Sequence, residues 1–169
     1  MSTTFIIKKL LVANRGEIAI RVFRAATELR IQTVAVYTFE DRYSLHRYKA
    51  DQSFQIGDDT ESIKPYLDIE VIIKVAKENQ VDAIHPGYGF LSENDRFAEA
   101  CQANNIVFIG PPVAAILAMG LKATSKSLME KAGVPLTPGY HGNNQEAEFL
   151  KQQADAIGYP VLIKASAGG

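Results

Sequence analysis

Along the first 110 residues, short apolar runs alternate with longer stretches in which apolar side chains return every three or four positions. LLVAN (10–14), QTVAVYT (32–38), VDAIH (81–85) and IVFIG (106–110) are brief and bounded by turn or cap residues, as strands buried on both faces are. DQSFQIG (51–57) is a weaker fifth. Between them EIAIRVFRAATELR (17–30), LDIEVIIKVAKENQ (67–80) and NDRFAEACQANN (94–105) are each long enough for a crossover helix. This β-α-β alternation predicts an α/β fold: a doubly wound, mainly parallel sheet with helices on both faces.

Near residue 111 the pattern changes. GPP (110–112) breaks the chain, VAAILAMGLKATSKSLMEKAG (113–133) reads as helical segments interrupted near Gly120, and GVPLTPGYHGNN (133–144) is a linker. A last helix (145–157) and a strand, YPVLIK (159–164), are predicted after it. The expected domains are 1–115 and 116–169. One strand and one helix are too little to bury a core, so the second domain is expected to be the truncated start of a larger one.

Composition adds exclusions. Hydrophobic residues at 47% and charged ones at 22% match a soluble globular protein. A net charge of −1 with interspersed signs gives no electrostatic case for nucleic acid or an anionic membrane. No apolar run approaches the ~18 residues of a membrane span. Cys101 is the single cysteine, expected as a small core residue on a helix and suited to a reducing compartment. MSTT leads directly into FIIKKLLVAN, a first strand with no targeting signature, so the expected location is cytoplasmic.

The candidate chemistry sits in the turns. VANRGEIAIR passes from strand to helix through Arg15-Gly16, where a Rossmann protein holds a pyrophosphate on the helix N-terminus. A dinucleotide fingerprint needs three glycines and only Gly16 is present; Glu40, at a ribose-reading distance, does not replace them. On the helix that follows, Ile18, Val22, Ala25, Ala26 and Leu29 form the stripe expected to pack on the sheet. Glu17, Arg21, Arg24 and Glu28 share another face with two i, i+4 charge pairs. That face reads as a solvated charge ladder or, with Ile20 and Phe23 beside it, as a subunit contact.

AIHPGYGFLSEN (83–94) lies at the C-terminal end of a strand, where open α/β sheets place their ligand crevice. Gly87 and Gly89 permit unusual backbone angles, and Ser92-Glu93-Asn94-Asp95 reads as a helix cap. Tyr88, between the glycines, is the better candidate to line a ligand site. His85 is a candidate base, but without partners it reads more as a structural residue. In PVLIKASAGG (160–169), Lys164 precedes small residues whose backbone N–H groups suit a phosphate. The lysine comes before the glycines, the reverse of a P-loop, and a solvent-facing strand end is the alternative.

Taken together, VANRGEIAIRV, AIHPGYGFLSEN, FIGPP, the MGLKATSK segment and IGYPVLIKASAGG resemble, in order and spacing, the biotin carboxylase family, from Ile7 to Gly169. The resemblance implies a Rossmann-like pre-ATP-grasp domain followed by the opening of an ATP-grasp domain. It implies a ligase that uses ATP and Mg2+ (or Mn2+) to activate bicarbonate as carboxyphosphate and then carboxylates biotin on a carrier domain. Residue by residue, Lys122 and Lys164 are implied as ATP contacts, Gly168 and Gly169 as the start of the loop that closes over ATP, and Tyr88 as facing bicarbonate and biotin. Arg21, Arg24 and Glu28 match the family's dimer-forming helix. The catalytic and metal-holding residues are expected downstream, which leaves the isolated chain inactive. The implied partners are a biotin carboxyl carrier domain, a carboxyltransferase subunit or domain, and a second copy of the chain. GYHGNNQ (139–145) looks most like the methylcrotonyl-CoA type, although acetyl-, propionyl- and pyruvate-carboxylating relatives share the other motifs. The competing expectation is a non-catalytic nucleotide-binding or assembly module with the same fold.

Overall fold

In the computed structural model the described residues are 6–120 and 122–164, without the side chains of residues 122 and 123. The chain separates into two compact units, Met1–Val113 and Ala114–Gly169. The first holds a five-stranded sheet of β1 (Lys9–Val12), β2 (Gln32–Tyr37), β3 (Gln52–Gln55), β4 (Ala83–His85) and β5 (Val107–Phe108) in the order β3-β2-β1-β4-β5. Every neighbouring pair is parallel, with Leu11 of β1 opposite Val34 on one side and Ile84 on the other. The sheet is wholly parallel in a doubly wound α/β unit.

Period-two alternation sends the two faces of the sheet to different helices. Leu11, Val34, Val36 and Ile84 form one core with Ile72, Ile73 and Ala76 of α3 (Ile69–Glu78) and Phe97 and Cys101 of α4 (Asp95–Ala103). Leu10, Val12, Ala35 and Ala83 face α1 (Gly16–Glu28) through Ala19, Phe23 and Ala26. Cys101 is a buried core thiol, pushed up to about 12 by that burial. Two aspartates tie down the N-terminal edge of the sheet. Asp82 accepts the Lys8 and Lys9 N–H groups at 2.8 Å each, and Asp51 accepts both the N–H and the hydroxyl of Thr33. Asp68 and Asn94 cap α3 and α4 by accepting the Val71 and Phe97 N–H groups.

Two expectations about α1 change. On α1 the buried face is Ala19-Val22-Phe23-Ala26, while Ala25 and Leu29 are exposed. Phe23 therefore lies in the core and not beside the charge ladder. Two helical stripes share Val22 and Ala26, and the one with alanines at 19 and 26 lets the helix approach the sheet closely while Phe23 fills the gap between them. A 3-10 turn, Glu40–Tyr43, and a five-residue helix α2 (Leu45–Lys49) fill the connection to β3; both are too short to show a periodic signal.

The second unit carries α5 (Val113–Gly120), α6 (Lys122–Lys131) and α7 (Ala147–Ile157). Tyr140 packs edge-on against Phe149 at 5.3 Å, and His141 lies 3.5 Å from Glu130. Among its described residues only Ile116 is buried. The strand predicted over 159–164 does not form: Val161–Lys164 has no regular structure, and Leu162 and Ile163 are more than 80% exposed. A strand is a paired state, and among the described residues this unit offers no second strand to take its backbone groups. Lys164 accordingly does not follow a strand.

Candidate functional site

The strands all run the same way, but the order in which they are added reverses at β1. The connection through α1 leads to β2 on one side, and the connection through α3 leads to β4 on the other. Such a switch point leaves a crevice beyond the C-terminal strand ends. Here the turn after β1 and the turn after β4 enclose an open cleft of about 300 Å3, lined by Asn14, Arg15, Gly16, Glu17, Ile18, Tyr88, Gly89 and Phe90.

One buried amide joins the two turns. Asn14 donates from Nδ2 to the Pro86 and Tyr88 carbonyls at 2.9 and 3.0 Å, and its Oδ1 accepts the Arg15 N–H at 2.9 Å. His85 completes the second turn as an acceptor: its Nδ1 takes the Gly87 N–H at 2.9 Å. Burial lowers the His85 pKa. The Nδ1 lone pair is thus taken up by the turn's own backbone.

Two of the lining residues, Arg15 and Phe90, belong to a second set of contacts that sequence patterning did not reveal. Arg15 pairs with Asp41 at 3.0 Å, and Asp41 also accepts the hydroxyls of Tyr66 and Ser44 at 2.8 Å each. Burial works to raise the Asp41 pKa, but the hydrogen bonds from Tyr66, Ser44 and Arg15 outweigh it and hold the carboxyl below its ordinary range. Burial, then the hydrogen bond to Asp41, push the Tyr66 phenol far up. The Tyr66 ring also stacks on Phe90, nearly parallel to it with centroids 5.3 Å apart. Phe90 has φ of +41°, a left-handed conformation costly for a non-glycine residue, and the stack holds it there. The only sequence trace of this set is a run of polar residues after β2, which looks like any loop.

The residues singled out in the sequence fall in different places. Tyr88 stands on the cleft, 61% exposed, and donates its hydroxyl to Glu17 at 2.9 Å. That bond is the largest cause of its raised pKa. Glu17 thus serves Tyr88. Arg21, Arg24 and Glu28 lie on the exposed face of α1, with Arg24 and Glu28 in a loose pair at 4.0 Å. Lys122 opens α6, but its side chain is outside the described residues, as are Gly168 and Gly169 entirely. Lys164 is exposed in the second unit. Among the described residues no group of three or more His, Cys, Asp or Glu is placed to hold a metal ion.

Residues 6–116 match the family described as "Biotin carboxylase, N-terminal domain", and residues 122–169 match "Carbamoyl-phosphate synthase L chain, ATP binding domain". The chain belongs to the biotin carboxylase family. Its parallel sheet is the biotin carboxylase N-domain fold, and the start of the ATP-binding domain follows. Pyruvate carboxylase of Bacillus subtilis and the mitochondrial methylcrotonoyl-CoA carboxylase subunit alpha of Rattus norvegicus are each 56% identical over 163 residues, 96% of this chain. The chain spans only 14% of the first protein and 23% of the second. The identity is the same to two carboxylases named for different acceptors. The biotin carboxylase domain dimer of Hydrogenobacter thermophilus 2-oxoglutarate carboxylase, solved with MgADP, ADP and bicarbonate, matches at 50% identity and a TM-score of 0.91 over 98% of this chain and 36% of that one. Campylobacter jejuni biotin carboxylase, solved with a nucleotide, matches at 47% identity and a TM-score of 0.91 over 97% and 36%.

Proposed function

We propose that this biotin carboxylase chain supplies one wall of the bicarbonate and biotin site, and the first ATP contacts, of an enzyme that carboxylates protein-linked biotin. The observation that carries the reading is the cleft at the switch point, where Tyr88 stands on a turn locked by Asn14. Its aromatic and aliphatic lining suits a flat ring, and the N–H-rich turn at Gly16 suits an anion. ATP with Mg2+ or Mn2+ would supply the phosphoryl group that activates bicarbonate. Toward it this chain would offer Lys122 and Lys164 as cations and Gly168 and Gly169 as loop backbone. Lys164 is exposed and so accessible to such a ligand. In the same reading 1–115 is the pre-ATP-grasp domain and 116–169 the opening of the ATP-grasp domain.

The exposed α1 face is proposed as the contact with a second copy, because Arg21, Arg24 and Glu28 put charges of both signs on one surface. The carrier domain bearing biotin, and a carboxyltransferase subunit or domain that handles an acyl-CoA or 2-oxo acid acceptor, are the proposed partners. The proposed compartment is the cytoplasm, which a single, buried cysteine suits. Assay of the full-length protein for phosphate release tests the reading. Release should require ATP, bicarbonate and biotin together. Nucleotide binding without such release would support the assembly-module alternative instead.

A further inference from the structure

Tyr88 is gripped at both ends by the turn that opens α1, more than seventy residues earlier in the chain. Its carbonyl accepts one amide hydrogen of Asn14 at 3.0 Å, and its hydroxyl donates to Glu17 Oε1 at 2.9 Å. Asn14 is 1% exposed and all three of its hydrogen-bonding groups are engaged. The backbone before Tyr88 is closely packed: a Cβ on Gly87 would come within 2.6 Å of Asn14 Nδ2 and 2.7 Å of Ile18 Cγ2. A side chain that is 61% exposed is thereby fixed in place on the rim of the cleft.

The direction of the outer bond has a chemical consequence. A carboxylate only accepts, so the phenol must donate its one hydrogen to Glu17. The lone pairs of the oxygen are what it presents to a ligand. The ureido ring of biotin carries N–H groups, which such an oxygen accepts.

We propose that Asn14 and Glu17 are the positioning residues of Tyr88. Asn14 fixes the backbone that carries the ring, and Glu17 commits the hydroxyl to act as an acceptor toward the N–H groups of the ureido ring. The inference rests on the reading of Tyr88 as part of the biotin side of the site. Neither residue needs to touch the reacting atoms, and both act through Tyr88.

The test uses the full-length protein with free biotin and ATP varied separately. Glu17→Ala should raise the KM for biotin by about threefold to tenfold, with the KM for ATP within about twofold. Glu17→Gln, which keeps an acceptor oxygen, should recover most of the loss. In a Tyr88→Phe background Glu17→Ala should add nothing, since the two residues act as one unit. Isotope-labelled tyrosine in the 169-residue chain gives a readout without activity: Tyr88 should ionise at lower pH in Glu17→Gln than in the wild type. Asn14→Ala should also raise the biotin KM, and where that variant fails to fold the Glu17 arm decides. If Tyr88→Phe weakens biotin use while Glu17→Ala does not, the positioning role is overturned and the site reading stands. If biotin and ATP constants rise equally in Glu17→Ala, the effect is general loosening and the proposal fails. Unchanged biotin use in both Tyr88→Phe and Tyr88→Ala would remove the site reading itself, and the inference with it.

Discussion

The hydroxyl of Tyr66 reaches Asp41 Oδ2 at 2.8 Å while its ring lies flat on Phe90. One buried side chain thus connects the loop after β2 to the turn after β4. The same Asp41 oxygen takes Arg15 from the turn after β1. Three strand ends that share no sequence neighbourhood are held together at this point, through Arg15 and Phe90, which line the cleft.

Tyr66→Phe separates the two roles. The ring stack stays, but Asp41 loses a donor and the Thr38 N–H loses an acceptor at 3.4 Å. Removing one partner from a buried hydrogen bond costs about 1–3 kcal/mol. Urea unfolding of the first unit should show a loss in that range with the m-value unchanged. No measurable loss would mean that solvent reaches Asp41 and replaces the phenol.

Acid should weaken this unit starting well above the carboxylate range. His46 is fully buried, its Nε2 bonded to the Val36 carbonyl and its Nδ1 without a partner among the described residues. Burial lowers its pKa and outweighs the opposite pull of the Val36 bond and of Asp41; the Arg15 charge acts with burial. The unfolded imidazole titrates near ~6.5. Below that pH the unfolded chain binds a proton that the folded chain resists, so stability is complete above about 6.5 and declines as pH falls. His85, also lowered by burial, adds to the same slope. Asp41, lowered too, is ionised when folded, and its contribution is lost only further down, below about 4. His46→Gln should reduce the fall in Tm between about pH 7 and pH 5 and leave a remainder from His85. An undiminished fall would rule out His46 as a source.

The parts of this molecule that were legible in the sequence are those encoded by repetition. Four apolar runs and three amphipathic stretches define a doubly wound sheet because each carries its period over several residues. The HPGYG turn was legible because Gly87 and Gly89 bracket Tyr88 at a strand end. Asn14 and the Asp41–Tyr66 contact were not legible, because a buried polar residue looks like a loop residue until its partner is known. The buried stripe of α1 lies one helical step from the expected one, since two faces share Val22 and Ala26. YPVLIK has every local mark of a strand, yet pairing is not a local property, and Leu162 and Ile163 remain exposed.

The glycines around Tyr88 should respond differently to the same substitution. Gly87 has φ of +69° and no room for a Cβ beside Asn14 and Ile18; Gly89 has φ of +70° and open space. Gly89→Ala should therefore cost only the left-handed conformation, about 1–2 kcal/mol. Gly87→Ala adds displacement of a buried, fully bonded amide and should cost about 2 kcal/mol more. Thermal unfolding of the two variants, with the wild type as reference, gives the difference. Equal losses would show that the Asn14 clamp yields freely.

Arg24 provides the test of the α1 face. Its pair with Glu28 is loose and exposed at 4.0 Å, so breaking it should change stability by less than ~0.5 kcal/mol. If the face meets a second copy, Arg24→Glu brings like charges together at the contact and should shift the full-length dimer toward monomer. Sedimentation at micromolar concentration reads this out directly. A dimer that persists with unchanged affinity would mark the face as a solvated ladder.

Lys164 carries the sharpest prediction for the ATP side. It is exposed in the second unit and stands just before the small residues of ASAGG. Lys164→Gln keeps much of the length and some hydrogen bonding but removes the positive charge. Where such a charge grips a phosphate in a cleft shielded from water, losing one preorganised donor costs ~10²–10³-fold in turnover. In the full-length protein the variant should lose biotin-dependent phosphate release by about that factor while its circular dichroism and melting temperature stay those of the wild type. The exposed setting supports that second expectation, because no buried contact of Lys164 is broken. The KM for ATP should rise in the same variant, whereas the KM for biotin should not, since Tyr88 belongs to a different unit of the chain. Near-normal turnover would show that the ammonium remains in solvent throughout the cycle and that the phosphate contact lies elsewhere.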